Sequence, residues 1–131
     1  MQINKKPMPL TTINGIRKRI NTNPDFQRPP VWATSQKQLL VDTILRGYDV
    51  PKLYWRRTGT KPDIYDVVDG QQRLRALWDF FDGNFKLTKD ADPIDGEVIA
   101  GCDYQNLPDE LRSRFDVYAL DVVVLDSVVT R

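Results

Sequence analysis

The sequence predicts an α+β fold with a β-hairpin and three to four helices, and three observations carry that reading. Segments with apolar residues three and four apart alternate with short β-branched and aromatic runs. Proline and glycine fall between these segments rather than inside them. The composition, 40% apolar and 28% charged, is that of a soluble globular protein. At 131 residues the chain is expected to form one domain, large enough to bury a core and too short for a second one.

Residues 1–9 carry two prolines and few apolar groups and are expected to fray. Thr12 is a candidate cap for a short helix over 13–20, with Ile13, Ile16 and Ile20 on one side. The run 26–32 (FQRPPVW) cannot be helical through its prolines and reads as an ordered, extended loop. A second helix is expected over 36–46 from a Thr34 or Ser35 cap, burying Leu39, Leu40, Ile44 and Leu45 before Gly47 ends it. The β-rich runs 53–57 and 64–68 form the hairpin.

The clearest helix spans 71–82, with Leu74, Leu77, Trp78 and Phe81 on one face and Gly83 as its stop. Trp78 and Phe81 are expected in the core. A short strand at 85–87, a strand pair within 97–104, a helix over 107–115 with Pro108 in its first turn, and a strand over 118–125 complete the prediction. The apolar run 120–129 is expected to pack, within the domain or against a further segment.

Several function classes are excluded by composition. No stretch approaches the ~18 apolar residues of a membrane span, and the N-terminus lacks a signal-peptide core, so a cytoplasmic protein without a membrane partner is expected. The chain contains no histidine and a single cysteine, Cys102. Intrachain disulfides, cysteine-based zinc sites, Ser-His and Cys-His nucleophiles and His-Asn-His nuclease centres are thereby removed. The net charge of +1 argues nothing about nucleic acid, although Arg17, Lys18 and Arg19, Arg56 and Arg57, and Arg73 and Arg75 form local basic groups. Cys102 reads as a small structural residue, since no basic neighbour in the sequence lowers its pKa.

The tract 65–77 (YDVVDGQQRLRAL) is the candidate site. It places Asp69 and Gly70 at the end of a strand, then Gln71, Gln72 and Arg73 in the first turn of a helix. Unpaired N–H groups and the positive dipole end suit phosphate, Gly70 permits close approach, and the Arg73 fork can take two oxygens at once. The same residues also fit a plain helix start, with Asp69 as cap and a solvated first turn. Gln27 and Arg28, in the rigid loop beside Trp32, form a second polar pair that fits either a ligand contact or a tie holding the loop. Tyr54, Trp55, Arg56 and Arg57 on the hairpin offer a small nucleic-acid surface, although alternation along a strand turns one of each adjacent pair inward.

FQRPPVW, the helix after it, the strand VPKLYW and the motif VVDGQQRL stand in an order and spacing that resembles the DUF262 family. That family forms the N-terminal part of GmrSD-type restriction systems and related phage-defence proteins. The resemblance covers about residues 12–126. It implies a ParB/sulfiredoxin-like fold with a small mixed sheet, and a DGQQR motif that binds nucleoside triphosphate with Mg2+ and, in full-length relatives, helps hydrolyse it.

Carried over by position, Arg73 and Arg28 would hold phosphate oxygens, a glutamine (Gln71 or Gln72) would position water, and Asp69 would orient the turn or a Mg2+-bound water, with Gln27 and Gly70 completing the pocket. DNA is an implied partner through the full-length protein, as are a second copy of the chain and a C-terminal nuclease or helical domain that the family places after the last strand. Hydrolysis is expected to depend on that region. Two readings compete: sulfiredoxin chemistry, which needs a cysteine where Gln71 and Gln72 stand, and a non-enzymatic module that senses DNA or nucleotide and regulates a separate nuclease domain. A ParB-like DNA clamp ranks lower, for want of a helix-turn-helix segment.

Overall fold

A computed structural model describes residues 2–26 and 31–126. It is an α+β fold built on a five-stranded mixed sheet, β1 (Gln2–Pro9), β2 (Ile20–Asn21), β3 (Leu53–Gly59), β4 (Ile64–Asp69) and β5 (Ala119–Asp126), in the order β1-β5-β3-β4-β2. The helices are α1 (Leu10–Gly15), α2 (Thr34–Leu45), α3 (Gln71–Phe81) and α4 (Asp109–Val117), with a 3-10 turn at Arg17–Arg19. β1–β5 and β3–β4 are antiparallel, β3–β5 and β2–β4 parallel. Burial alternates along the central strands: Leu53, Trp55, Tyr65, Val67, Leu120, Val122 and Val124 are buried, while Tyr54, Arg56, Val68 and Asp121 are exposed. The inward row meets Leu40, Val41, Ile44 and Leu45 of α2, Leu74, Leu77 and Phe80 of α3, and Leu111 and Phe115 of α4 in one core.

The first correction is at the N-terminus. Residues expected to fray form β1, which pairs with β5 from Gln2 opposite Asp126 to Pro9 opposite Ala119. Two prolines are compatible with this because an edge strand uses its ladder donors on one side only. The first helix starts earlier and is shorter than expected: Pro9 is its N-cap, Thr12 lies inside it rather than capping it, and Gly15 and the 3-10 turn hand Ile20 to β2; Ile13 and Ile20 are nonetheless buried.

In α2 the N-cap is Ala33 rather than Thr34 or Ser35. The Gln36 side chain accepts from the Ala33 N–H (2.8 Å) while the Gln36 N–H donates to the Ala33 carbonyl (3.0 Å). Leu39, expected in the core, is 68% exposed, and Val41 is buried in its place.

The hairpin forms as predicted, with β3 and β4 paired from Tyr54 opposite Asp69 to Gly59 opposite Ile64. In α3 the fully buried aromatic is Phe80, whose ring lies 5.4 Å from Phe85 and 5.2 Å from Phe115. Trp78 and Phe81 are only partly buried against it. Residues 85–87 form no strand; Phe85 and Leu87 are buried, and the Leu87 N–H reaches the Cys102 carbonyl (2.8 Å), with the Gly101 N–H reaching the Thr88 carbonyl (3.1 Å) beside it, without extending into a ladder. The strand pair expected within 97–104 does not form; Glu97 instead makes an isolated bridge with Ile94, before that range.

Pro108 is the N-cap of α4, and Asp109 and Glu110 in its first turn complement the helix dipole. The apolar C-terminal run packs within the domain as far as Asp126, flanked by β1 and β3. Residues 127–131 lie outside the described residues.

Cys102 is half-buried, and burial together with the neighbouring Asp103 raises its thiol pKa. The thiolate is the reactive form, so alkylation at pH 7 is expected to be slower than for a free cysteine peptide and to accelerate with rising pH. The two rates should converge in urea. Equal rates in the native protein would contradict a structural role.

Candidate functional site

The antiparallel β3–β4 pairing sets the start of β3 beside the end of β4, and the chain leaves β4 through Gly70 straight into α3. Gly70 is the N-cap, buried and in the left-handed region at φ 105°. A Cβ built there would overlap Leu53 Cδ2 and come within 3.2 Å of Arg73 Nη2. Glycine is therefore required twice, by backbone angle and by the close approach of β3. No side chain caps the first turn, so Asp69 is not the capping residue that a plain helix start would make it. The first intrahelical bond runs from the Leu74 N–H to the Gly70 carbonyl (3.1 Å), and the N–H groups of Gln71, Gln72 and Arg73 have no intrahelical acceptor. This end of the helix is suited to an anion.

The three polar side chains of that turn diverge, each tying α3 to a different element. Gln71 Nε2 donates back to the Val67 carbonyl of β4 (3.1 Å). Gln72 Oε1 accepts the Trp32 backbone N–H (3.3 Å), fixing the segment before α2. Arg73 Nη2 donates to the Lys52 carbonyl just before β3 (2.9 Å). Arg73 Nε is buried and has no hydrogen-bond partner among the described residues, so it is not itself open to a ligand; of the two outer guanidinium nitrogens only Nη2 is bonded to the described residues, which leaves Nη1 for one. Asp69, at the surface, lies 4.0 Å from Arg73 Nη2 across one turn, a contact of small energetic weight.

Asp69, Gly70, Gln71, Gln72 and Arg73 are thus one cluster. Gln27 and Arg28 lie outside the described residues. Among the described residues no group of three acidic, cysteine or histidine side chains converges to form a metal cage. Mg2+ is usually held by one or two carboxylates together with substrate phosphates and water, an arrangement that Asp69 at the helix start fits.

Of the expected hairpin surface, only part is exposed. Trp55 is fully buried, its ring 5.1 Å from Tyr65, and Arg57 is paired with Asp63 and Asp126, each at 3.6 Å. Tyr54 and Arg56 face outward, with Arg56 3.9 Å from Asp66. The partial burial foreseen from strand alternation removes half of the proposed nucleic-acid contacts.

Two contributors to the site, both within VPKLYW, were not among the expected site residues. Lys52 acts through its carbonyl and Leu53 through the methyl that excludes a Cβ at position 70. Only strand pairing brings either to the motif. On the far side of the turn, Gln72 shares a hollow of about 270 Å3 with Arg17, Lys37, Arg75 and Trp78. Arg17 there pairs with Asp82 (2.8 Å) and Lys37 with Asp79 (2.8 Å), so these charges are largely spent on α3 itself.

No helix among the described residues is long and apolar enough to cross a membrane. Comparison with curated proteins gives no match. Residues 10–125, which hold every element from α1 to the body of β5 and the whole of the cluster above, match the GmrSD restriction endonuclease N-terminal domain, and the chain belongs to that family, a domain of the restriction and defence type.

Proposed function

We propose that this domain binds a nucleoside triphosphate with Mg2+, its phosphates lying at the start of α3, and that it supplies the nucleotide-dependent half of a restriction protein whose nuclease lies elsewhere. The observation that carries the reading is Gly70: a left-handed, sterically enforced glycine that leaves the helix start uncapped beside a partly unengaged arginine fork. In this reading the N–H groups of the first turn and the Arg73 guanidinium hold phosphate oxygens, with Arg28 as a second cation. Asp69 receives a water of the Mg2+ shell. Gln71, whose amide nitrogen is spent on Val67, keeps its carbonyl oxygen to orient an attacking water. With no histidine in the chain, DNA cleavage by a His-Asn-His centre falls to another domain.

A second reading is favoured by the divergence of the three side chains. Because Gln71, Gln72 and Arg73 tie α3 to β4, to the segment before α2 and to the segment before β3, a ligand that competes for them would loosen or tighten three elements together. Such a domain would sense nucleotide or DNA and regulate the nuclease without turnover.

Calorimetric titration with each nucleoside triphosphate, with and without Mg2+, tests binding. Phosphate release with and without DNA separates the two readings. Mg2+-dependent binding accompanied by release supports an NTPase, and binding without release in the longer protein supports the sensor. No binding of any nucleoside triphosphate would refute the first reading, and no response to either nucleotide or DNA would refute the second.

A further inference from the structure

Beside the first turn of α3 lies a cleft of about 330 Å3, between α2 and the residues 49–51 that lead into β3. Trp32, Leu39, Leu40, Val50 and Pro51 make its walls mostly apolar, and Arg73 lines it as well. Three features separate it from a packing gap. Leu39 stands at a core position in the helical pattern yet is 68% exposed, presenting a large apolar side chain at the wall of an open cleft. The wall is anchored to the motif, since the Trp32 backbone N–H is bonded to Gln72. Arg73 belongs both to the anion end of α3 and to the cleft. The volume lies at the lower end of the ~300–1,000 Å3 typical of small-ligand pockets, and an apolar lining with a few polar groups is their usual chemistry.

We propose that this cleft holds the nucleobase of the nucleotide whose phosphates sit at the start of α3; the inference rests on the nucleoside triphosphate reading above. A planar base would cover the exposed surface of Leu39, Val50 and Pro51, and Trp32 adds an aromatic partner. Polar recognition is present at the same place. Gln36 uses its carbonyl oxygen to cap α2, which leaves its amide N–H groups as donors, and Asp49 supplies acceptors. A base edge carrying both a donor and an acceptor would meet both. Arg73 sets the polarity of the ligand, phosphates toward the helix start and base toward α2.

The test compares nucleoside triphosphates with inorganic tripolyphosphate, each titrated calorimetrically with Mg2+ into the full chain. The ratio of the two affinities reads the contribution of the base. The expected result is tighter binding of the nucleotide than of tripolyphosphate. Leu39→Ser, at an exposed position that the fold tolerates, is expected to weaken nucleotide binding by about 3–10-fold, the loss of part of a leucine's apolar contact, with tripolyphosphate affinity unchanged. Asp49→Asn is expected to alter the order of preference among the four nucleotides and again to spare tripolyphosphate. Equal affinity of nucleotide and tripolyphosphate for the parent, or a ratio unmoved by both variants, would overturn the base cleft while leaving the phosphate site standing. Failure of both ligands to bind would overturn the phosphate site and the cleft with it.

Discussion

Replacing Gly70 by alanine is expected to destabilise the domain by about 2–5 kcal/mol, from two independent costs. The first is backbone strain: at φ 105° an L-residue sits outside its favoured regions, at roughly 1–2 kcal/mol. The second is overlap, because the new Cβ meets Leu53 Cδ2, and Leu53 is fully buried between the sheet and the helices with nowhere to move. Overpacking of this kind costs about 1–3 kcal/mol. Urea denaturation followed by tryptophan fluorescence measures the sum. A midpoint equal to that of the parent would show that the turn relaxes freely and would remove the structural case for a built anion site. Ligand binding should fall further than stability alone explains, because the same Cβ approaches Arg73 Nη2 to 3.2 Å.

Arg73→Ala is expected to weaken Mg2+-nucleotide affinity by about 10–100-fold, the factor for one lost charge-assisted contact. The fold should change little. The Lys52 carbonyl that Arg73 serves belongs to an exposed residue and can take water instead, and the pair with Asp69 is near the surface. Arg73→Lys separates charge from geometry: it keeps the cation but loses the planar fork, so an intermediate affinity is expected. Unchanged affinity in Arg73→Ala, with the variant shown to be folded, would place the phosphates elsewhere.

Much of the fold could be read from local pattern. The hairpin, α3, α4 and β5 follow from periodicity and from glycine and proline punctuation, because each is long enough for its apolar spacing to identify it. The misses share one cause. β1 carries no β-rich run of its own and exists through pairing with β5, more than a hundred residues later in the chain. Leu39 has core spacing, but its neighbours across α2 form a cleft rather than a wall. Trp78 and Phe81 share a helix face with Leu74 and Leu77, yet it is Phe80 that is fully buried, against Phe85 and Phe115, while Phe81 reaches Phe115 from a partly buried position. The short apolar run 85–87 has the composition of a strand but lacks a partner long enough to form a ladder, so its residues reach the core from an irregular segment.

For the candidate site the division is sharper. The amino-acid order alone determined that Asp69, Gly70, Gln71, Gln72 and Arg73 occupy a strand-to-helix turn, because a polar, glycine-containing break between two strong periodic segments can be little else. It also determined that these 131 residues contribute no histidine to any chemistry here. Tertiary structure decided what those residues face. A Cβ at Gly70 is excluded by Leu53 on a neighbouring strand, the Arg73 fork is aimed by the Lys52 carbonyl, and the cleft beside it is made by α2 and residues 49–51. Local sequence sets backbone preference within a few residues, whereas contacts between Gly70, Leu53, Lys52 and Trp32 arise only when the sheet pairs and the helices dock on it.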